Sequence, residues 1–336
     1  MEKLSLFQRI IRIRIVIMFF LLLILIIAFA ILATPNNSVV EVFEGKSIFL
    51  QLKIVTRIID AMPLTMLLTT GITLLMISGK LDLSTGANGT MCAMLLAYVV
   101  RDGMPLVPAI FLALVIGVLI GFINAALVNE LRVAPFIGTL ATSSIATGFT
   151  YFIANRRAID VVHPFMKQFG RMMLWGYVPV ATIFAAVLMI IAGIVLHKTR
   201  LGRIIYIAGG NPQAAMLSGI NHKKVSYILF MICGLFSAIA GIVFIARQQS
   251  ASMTGITAAR FEGITAAVLG GIAFGGGSGG MAGAFVGLVV LNTFNTGLTI
   301  VGLNPAIQRI ATGLLLIFAL TLDFLQKQQN EKIVAS

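Results

Sequence analysis

Residues 15–33 read IVIMFFLLLILIIAFAILA, nineteen positions without a charge or an amide. A helix needs roughly twenty consecutive apolar residues to cross the hydrocarbon layer of a bilayer, so this run is long enough to cross. Lys3, Arg9, Arg12 and Arg14 precede it, against Glu2 alone. Secretory signal peptides also open with a basic start and an apolar stretch, and Ala28-Phe29-Ala30 resembles a cleavage site. The apolar run continues past that site to Ala33, so an uncleaved anchor accounts for its length better.

Nine further apolar runs follow, at about 61–79, 86–100, 106–128, 134–154, 177–196, 226–246, 262–274, 280–300 and 306–323. The third and eighth of the ten, 86–100 and 262–274, are short for a crossing, and each adjoins a glycine-rich or broken stretch. Of 336 residues, 59% are hydrophobic and 10% charged, with a mean hydropathy of +1.04. Soluble domains carry roughly a quarter charged residues, and so few charges cannot cover a water-facing surface. The pattern predicts an all-α polytopic membrane protein of about ten spans with some short or broken helices. It forms one membrane domain over 1–336, with its membrane region at 15–323. The links 34–60, 155–176 and 197–225 are too short to bury cores of their own, so no soluble domain is expected.

The net charge of +13 lies between the apolar runs. That placement fits loops against anionic headgroups better than nucleic-acid binding. The loop 197–225 carries Lys198, Arg200, Arg203, Lys223 and Lys224 without an acid. Ten spans put it on one side with both termini, and the positive-inside rule makes that side cytoplasmic. Arg156, Arg157, Lys167 and Arg171 then fall outside, so the asymmetry is incomplete. In the link 34–60, apolar residues recur at helical spacing over 48–59 with Lys53 and Arg57 opposite, which predicts a helix lying in the interface.

The residue types exclude several chemistries. Cys92 and Cys233 sit inside apolar runs, and His163, His197 and His222 lack ligand spacing. No G-x-x-x-x-G-K-[ST] phosphate loop occurs. No catalytic residue, metal site or cofactor is therefore expected in this chain.

Four stretches carry the functional signal. Ser78-Gly79-Lys80-Leu81-Asp82-Leu83-Ser84-Thr85-Gly86 joins two apolar runs, with Ser84 or Asp82 able to cap the next helix. It is either a buried break at membrane depth or a tight cytoplasmic turn. In 134–154, Thr139, Ser143, Thr147 and Thr150 recur on one helix face. Such hydroxyls suit a neutral polyhydroxy solute, although membrane Ser and Thr often bond their own backbone. In the loop 197–225, Asn211 fits a helix N-cap, Pro212 the first helical position and Gly219 the end, which predicts a helix of about 212–218. Its low charge points to docking on a partner. Last, Phe261–Gly280 is glycine-rich, with Glu262 and Arg260 at its head as a candidate surface ion pair.

These stretches resemble the sugar-type permeases of bacterial ATP-binding-cassette importers, the group with ribose, galactose and xylose permeases, over nearly the whole chain. Gly79–Gly86 is similar to that family's GGIDLSVG-like run. Gly121-Phe122-Ile123-Asn124 with Ala134–Leu140 is similar to its GxxNG and PFIVTLG. Thr199–Ile220 and Phe261–Gly280 are similar to its T-x-x-G-R…S-G-I loop and its E-x-x-A-I-A-A-V-x-L-G-G…G-G-x-G segment. Lys80 stands where the family has an uncharged residue, Ala125 where it has glycine, and Gly263–Ala267 matches more loosely.

The resemblance implies a permease subunit that passes a monosaccharide or related polyol, in the plasma (inner) membrane. Two copies would form the pathway. An ATPase with two fused nucleotide-binding domains, holding ATP and Mg, would dock inside, and an extracytoplasmic sugar-binding protein would deliver the solute. Expected path residues are Asp82, Ser84, Asn124, Thr139, Ser143, Thr147 and Glu262. Expected ATPase-coupling residues are Asn211, Ala214, Ala215, Ser218 and Gly219, with Ala215 solvent-side when undocked. A branched-chain amino-acid or nucleoside permease of the same superfamily is the neighbouring alternative. An ion-coupled carrier fits less well, since Asp82 and Glu262 both sit at segment ends.

Overall fold

The computed structural model describes residues 6–335, with side chains over 17–321 and at Asp323 and Phe324. The chain is mostly helical. α1 (Leu6–Leu32) leads through the short α2 (Val39–Phe43) to α3 (Leu52–Ile77), then α4 (Thr85–Arg101), α5 (Leu106–Asn129) and α6 (Pro135–Ala154). The link that follows holds β1 (Ile159–Asp160), α7 (Pro164–Arg171), β2 (Met173–Leu174) and β3 (Val178–Pro179). α8 (Val180–Lys198), α9 (Arg200–Gly210), α10 (Pro212–Leu217) and α11 (His222–Gln248) come next. β4 (Ser250–Ala251), α12 (Ala259–Leu269), α13 (Met281–Ile300) and α14 (Pro305–Ala335) complete the order.

Among the described residues six helices, α3, α5, α6, α8, α11 and α13, are long and apolar enough to cross a membrane. All ten expected segments fall on helices. α4 and α12 are the short pair, at 17 and 11 residues. The strands are a small departure from an all-α fold. β1 pairs antiparallel with β4, tying the link after α6 to the end of α11, and β2 pairs with β3.

α3 and α11 form the centre, with 72% and 61% of their apolar windows buried, against 28% for α5. The exposed side of α5 carries Val107, Phe111, Leu119, Phe122 and Ile123, an apolar face suited to acyl chains. Its other side meets α11 through small residues. A Cβ on Gly117 would lie 2.5 Å from Ala238 Cβ and 2.8 Å from the Gly234 carbonyl oxygen, the close approach that membrane helices use where no hydrophobic force separates helix from lipid.

The interfacial helix expected over 48–59 is not a separate element. Residues 52–59 are the first two turns of α3, which runs on into the span through Pro63. Asp60, the last residue of the link 34–60, lies inside this helix, and its carboxylate needs a partner. Arg247 at the end of α11 supplies it, with Nη2 2.9 Å from Asp60 Oδ2.

Candidate functional site

Between Ile77 and Thr85 the backbone leaves the helical ladder, and its polar groups need other partners. Gly79 makes the turn in the left-handed region, at φ 78°. Asp82 then folds its carboxylate forward: Oδ1 accepts the Ser84 N–H at 2.7 Å and the Ser84 hydroxyl at 2.6 Å. Asp82 therefore supplies the cap; Ser84, at the N-cap position, makes no side-chain cap bond. Both side chains are buried, at 1% and 0% exposure. A solvated cytoplasmic turn does not bury a carboxylate, so the stretch is a break enclosed by protein.

Neighbouring helices close around it. Asn124 Nδ2 of α5 donates to Asp82 Oδ2 at 3.3 Å and to Ser84 Oγ at 2.8 Å. Its Oδ1 accepts from the Thr142 hydroxyl of α6 at 2.6 Å. Thr139 Oγ1 accepts the Leu83 N–H at 3.1 Å. Arg260 of α12 donates from Nη1 to Ser143 Oγ at 2.7 Å and to the Leu83 carbonyl at 3.2 Å. Five of the expected path residues, Asp82, Ser84, Asn124, Thr139 and Ser143, thus meet in one buried network. Thr147 stays out of it, since its hydroxyl donates to the Ser143 carbonyl one turn back. Thr142 and Arg260 are members that sequence reasoning missed. Thr142 was within reach, three residues after Thr139 on the same face.

The expected ion pair between Arg260 and Glu262 does not form. Residues two apart on a helix point to different sides, and the two side chains part. Arg260 turns toward the break, while Glu262 Oε2 accepts from the Thr65 hydroxyl of α3 at 3.1 Å. Glu262 lines a cavity of about 700 Å³ between α12, α13 and α14. The cavity lies toward the end of the bundle opposite the 199–221 loop, because α13 starts beside His197 and the lining residues belong to its far half.

The 199–221 loop forms two helices. In α10, Asn211 Oδ1 accepts the Ala214 N–H at 2.9 Å, Pro212 holds the first position and Gly219 follows at φ 75°, as its residues predict. Asn211, Ala214, Ser218 and Gly219 are exposed. Ala215 is not: it is fully buried within the chain, because α10 lies back on α9 with that side inward. The large apolar side chains that α10 exposes are instead Met216 and Leu217, 70% and 91% exposed.

α9 carries this helix straight to the break. A Cβ on Gly209 would overlap the Ile77 carbonyl oxygen at the end of α3. The same oxygen accepts the Gly277 N–H at 2.8 Å, from the glycine-rich link between α12 and α13. Three segments thus meet where only glycine fits. Beside them Lys80 donates to Asn129 Oδ1 at 3.0 Å and Ser226 Oγ at 2.6 Å, pinning the break to the adjoining ends of α5 and α11. At that end Lys223, 2.8 Å away, hydrogen-bonds Glu130 and holds its carboxyl below the ordinary range. Among the described residues no group of three or more His, Cys, Asp or Glu could hold a metal ion.

A family model described as the permease component of branched-chain amino acid transport systems matches residues 54–320. The chain belongs to this permease family. The permease is 32% identical to the ribose import permease protein RbsC of Bacillus subtilis over 259 residues, 76% of this chain and 80% of that one. It is 31% identical to the Escherichia coli K12 protein of the same name over 262 residues, 76% and 81% of the two chains. It is 30% identical to the galactose/methyl galactoside import permease protein MglC of Haemophilus influenzae over 297 residues, 83% and 88%. No solved structure matches it. As a permease with several helices fit to cross a bilayer, it is a protein of the inner membrane.

Proposed function

We propose that the chain is the membrane-spanning subunit of an ATP-driven importer for a monosaccharide or related polyol. The family description names amino-acid transport, but the relatives named above import ribose and galactose and cover three quarters or more of this chain. The observation that carries the reading is structural. A helix with exposed Met216 and Leu217 is linked, through Gly209, to the carbonyl that ends α3, at the start of the buried break. A push on α10 from a soluble partner would therefore reach the break through α9.

In this account an ATPase with two fused nucleotide-binding domains seats α10 in a groove, and ATP binding closes it. The ten helical segments cross the membrane as one unit, with both termini and the 199–221 loop inside. Asp82, Ser84, Asn124, Thr139, Ser143, Thr147 and Glu262 flank the path, and a binding protein delivers sugar at the opposite end. A second copy faces the first, so that the polar wall of the cavity beside Glu262 borders the pathway and not acyl chains. Switching requires that nucleotide favour one arrangement over the other.

The test is coexpression with a candidate ATPase. The permease alone should not hydrolyse ATP, and the assembled complex should do so faster when the loaded binding protein is added. Hydrolysis by the permease alone, or a complex indifferent to the binding protein, would contradict the assignment.

A further inference from the structure

Two lateral cavities flank the bundle, and they differ in kind. One, of about 520 Å³ between α8 and α13, is walled by Ala186, Met189, Ile190, Gly193, Ile194 and Phe285, with His197 and Lys198 only at its end. Such a groove is filled by acyl chains at no polar cost. The other is the 700 Å³ cavity beside Glu262. On α13 its wall is Asn292, Asn295, Thr296 and Thr299, spaced three, one and three residues apart, which is one helix face. Gln308 and Thr312 answer from α14, one turn apart.

The wall is tied together across the two helices. Thr312 Oγ1 donates to Asn295 Oδ1 at 3.1 Å, and Thr299 Oγ1 donates to Gln308 Oε1 at 3.3 Å. Amides and hydroxyls at membrane depth are costly against lipid. Here they are gathered on facing sides of two helices and nowhere on the 520 Å³ groove. The face therefore meets water or a solute that replaces it.

We infer that this cavity receives a neutral polyhydroxylated solute during passage through the permease, and that Asn295 and Gln308 discriminate among such solutes. The inference rests on the importer reading above. An amide offers a donor and an acceptor side by side, which matches adjacent sugar hydroxyls. Gln308, whose Nε2 donates to the Leu303 carbonyl at 2.8 Å, would exchange that bond and the one from Thr299 for bonds to the solute. The ionisable groups in the lining are one carboxyl, Glu262, and one guanidinium, Arg309, so no cluster of like charges there selects an ionic solute. The volume exceeds that of one hexose and leaves room for bridging water. A site that hydrogen-bonds a hydroxyl rejects an analogue in which that hydroxyl is missing or misplaced.

The experiment uses the permease assembled with its ATPase and binding protein in proteoliposomes. Single cysteines replace Asn295, Gln308 and, as a control in the apolar groove, Ile190. Cys92 and Cys233 are buried, so the parent chain is the unlabelled reference. A water-soluble cationic thiosulfonate should modify Asn295→Cys and Gln308→Cys, and spare Ile190→Cys. Excess D-ribose or D-galactose should slow the reaction, and modification should stop uptake. In unlabelled Asn295→Ala and Gln308→Ala, the D-ribose to D-galactose uptake ratio should move by about fivefold or more, the loss of about one hydrogen bond. Asn295→Gln and Gln308→Asn, which keep the amide, serve if the alanine variants fail to assemble, and should shift the ratio in the same assay. Inert cysteines, or modification that leaves uptake and ratio as in the parent, overturns the inference while the importer reading stands. A parent assembly that moves no monosaccharide or polyol overturns both.

Discussion

Asn124 and Asp82 lie 42 residues apart on different segments, yet the Asn124 amide reaches the Asp82 carboxylate at 3.3 Å while also holding Ser84 at 2.8 Å. One side chain of α5 thus fixes the shape of the break between α3 and α4. The Asn124 oxygen is in turn fixed by Thr142, so the break, α5 and α6 are one hydrogen-bonded unit.

Thr142 and Thr147 therefore respond differently to the same substitution. Thr142→Val removes the donor to a buried amide oxygen and should cost about 0.5–2 kcal/mol, the range for interhelical bonds in membranes. Thr147→Val removes only a bond to its own helix and should stay within about 0.5 kcal/mol. Thermal unfolding of the detergent-purified variants makes the comparison, and equal shifts would remove Thr142 from the network.

Gly209 and Gly210 are neighbours in sequence with unequal surroundings. A methyl on Gly209 would overlap the Ile77 carbonyl oxygen, whereas one on Gly210 would meet Gly277 Cα at 3.7 Å, an ordinary contact. Gly209→Ala should separate α9 from the break and reduce binding-protein-stimulated ATP hydrolysis several-fold. Gly210→Ala should keep most of it. Equal activity in the two would show that force does not travel through this contact.

The partner surface of α10 is tested at Leu217 rather than Ala215. Leu217→Glu changes a side chain that is 91% exposed, so folding should be unaffected while copurification with the ATPase falls. Ala215→Glu buries a charge inside the chain and should lower the yield of folded protein itself. If Leu217→Glu copurifies and transports like the parent, α10 is only a surface helix.

Sidedness follows from the same arrangement. Ser218 and Trp175 are both exposed, on links at opposite ends of the helices. With a membrane-impermeant thiol reagent on intact cells, Trp175→Cys should label and Ser218→Cys should not. The reverse pattern would invert the proposed topology.

Much of this was legible in the chain, and the failures share a cause. Apolar runs and the Asn211-Pro212…Gly219 signals act within one helix, and both were readable. The α13 stripe Asn292, Asn295, Thr296 and Thr299 is equally local, but its spacing alone does not tell a solute-facing stripe from one that bonds its own backbone. Long-range partners were not readable. Arg260 looked like a partner for Glu262 until Ser143 met it, and Ala215 looked solvent-facing until α10 lay on α9. In each case packing between separate elements decided the side chain's state.

The central claim is that this chain carries sugar at the expense of ATP. Proteoliposomes containing the permease, its ATPase and MgATP on the cytoplasmic side, with the binding protein opposite, should accumulate labelled D-ribose or D-galactose against a gradient. Accumulation should require all three proteins and should not occur with labelled L-leucine. Accumulation of L-leucine in place of either sugar, or sugar uptake indifferent to ATP, would contradict it.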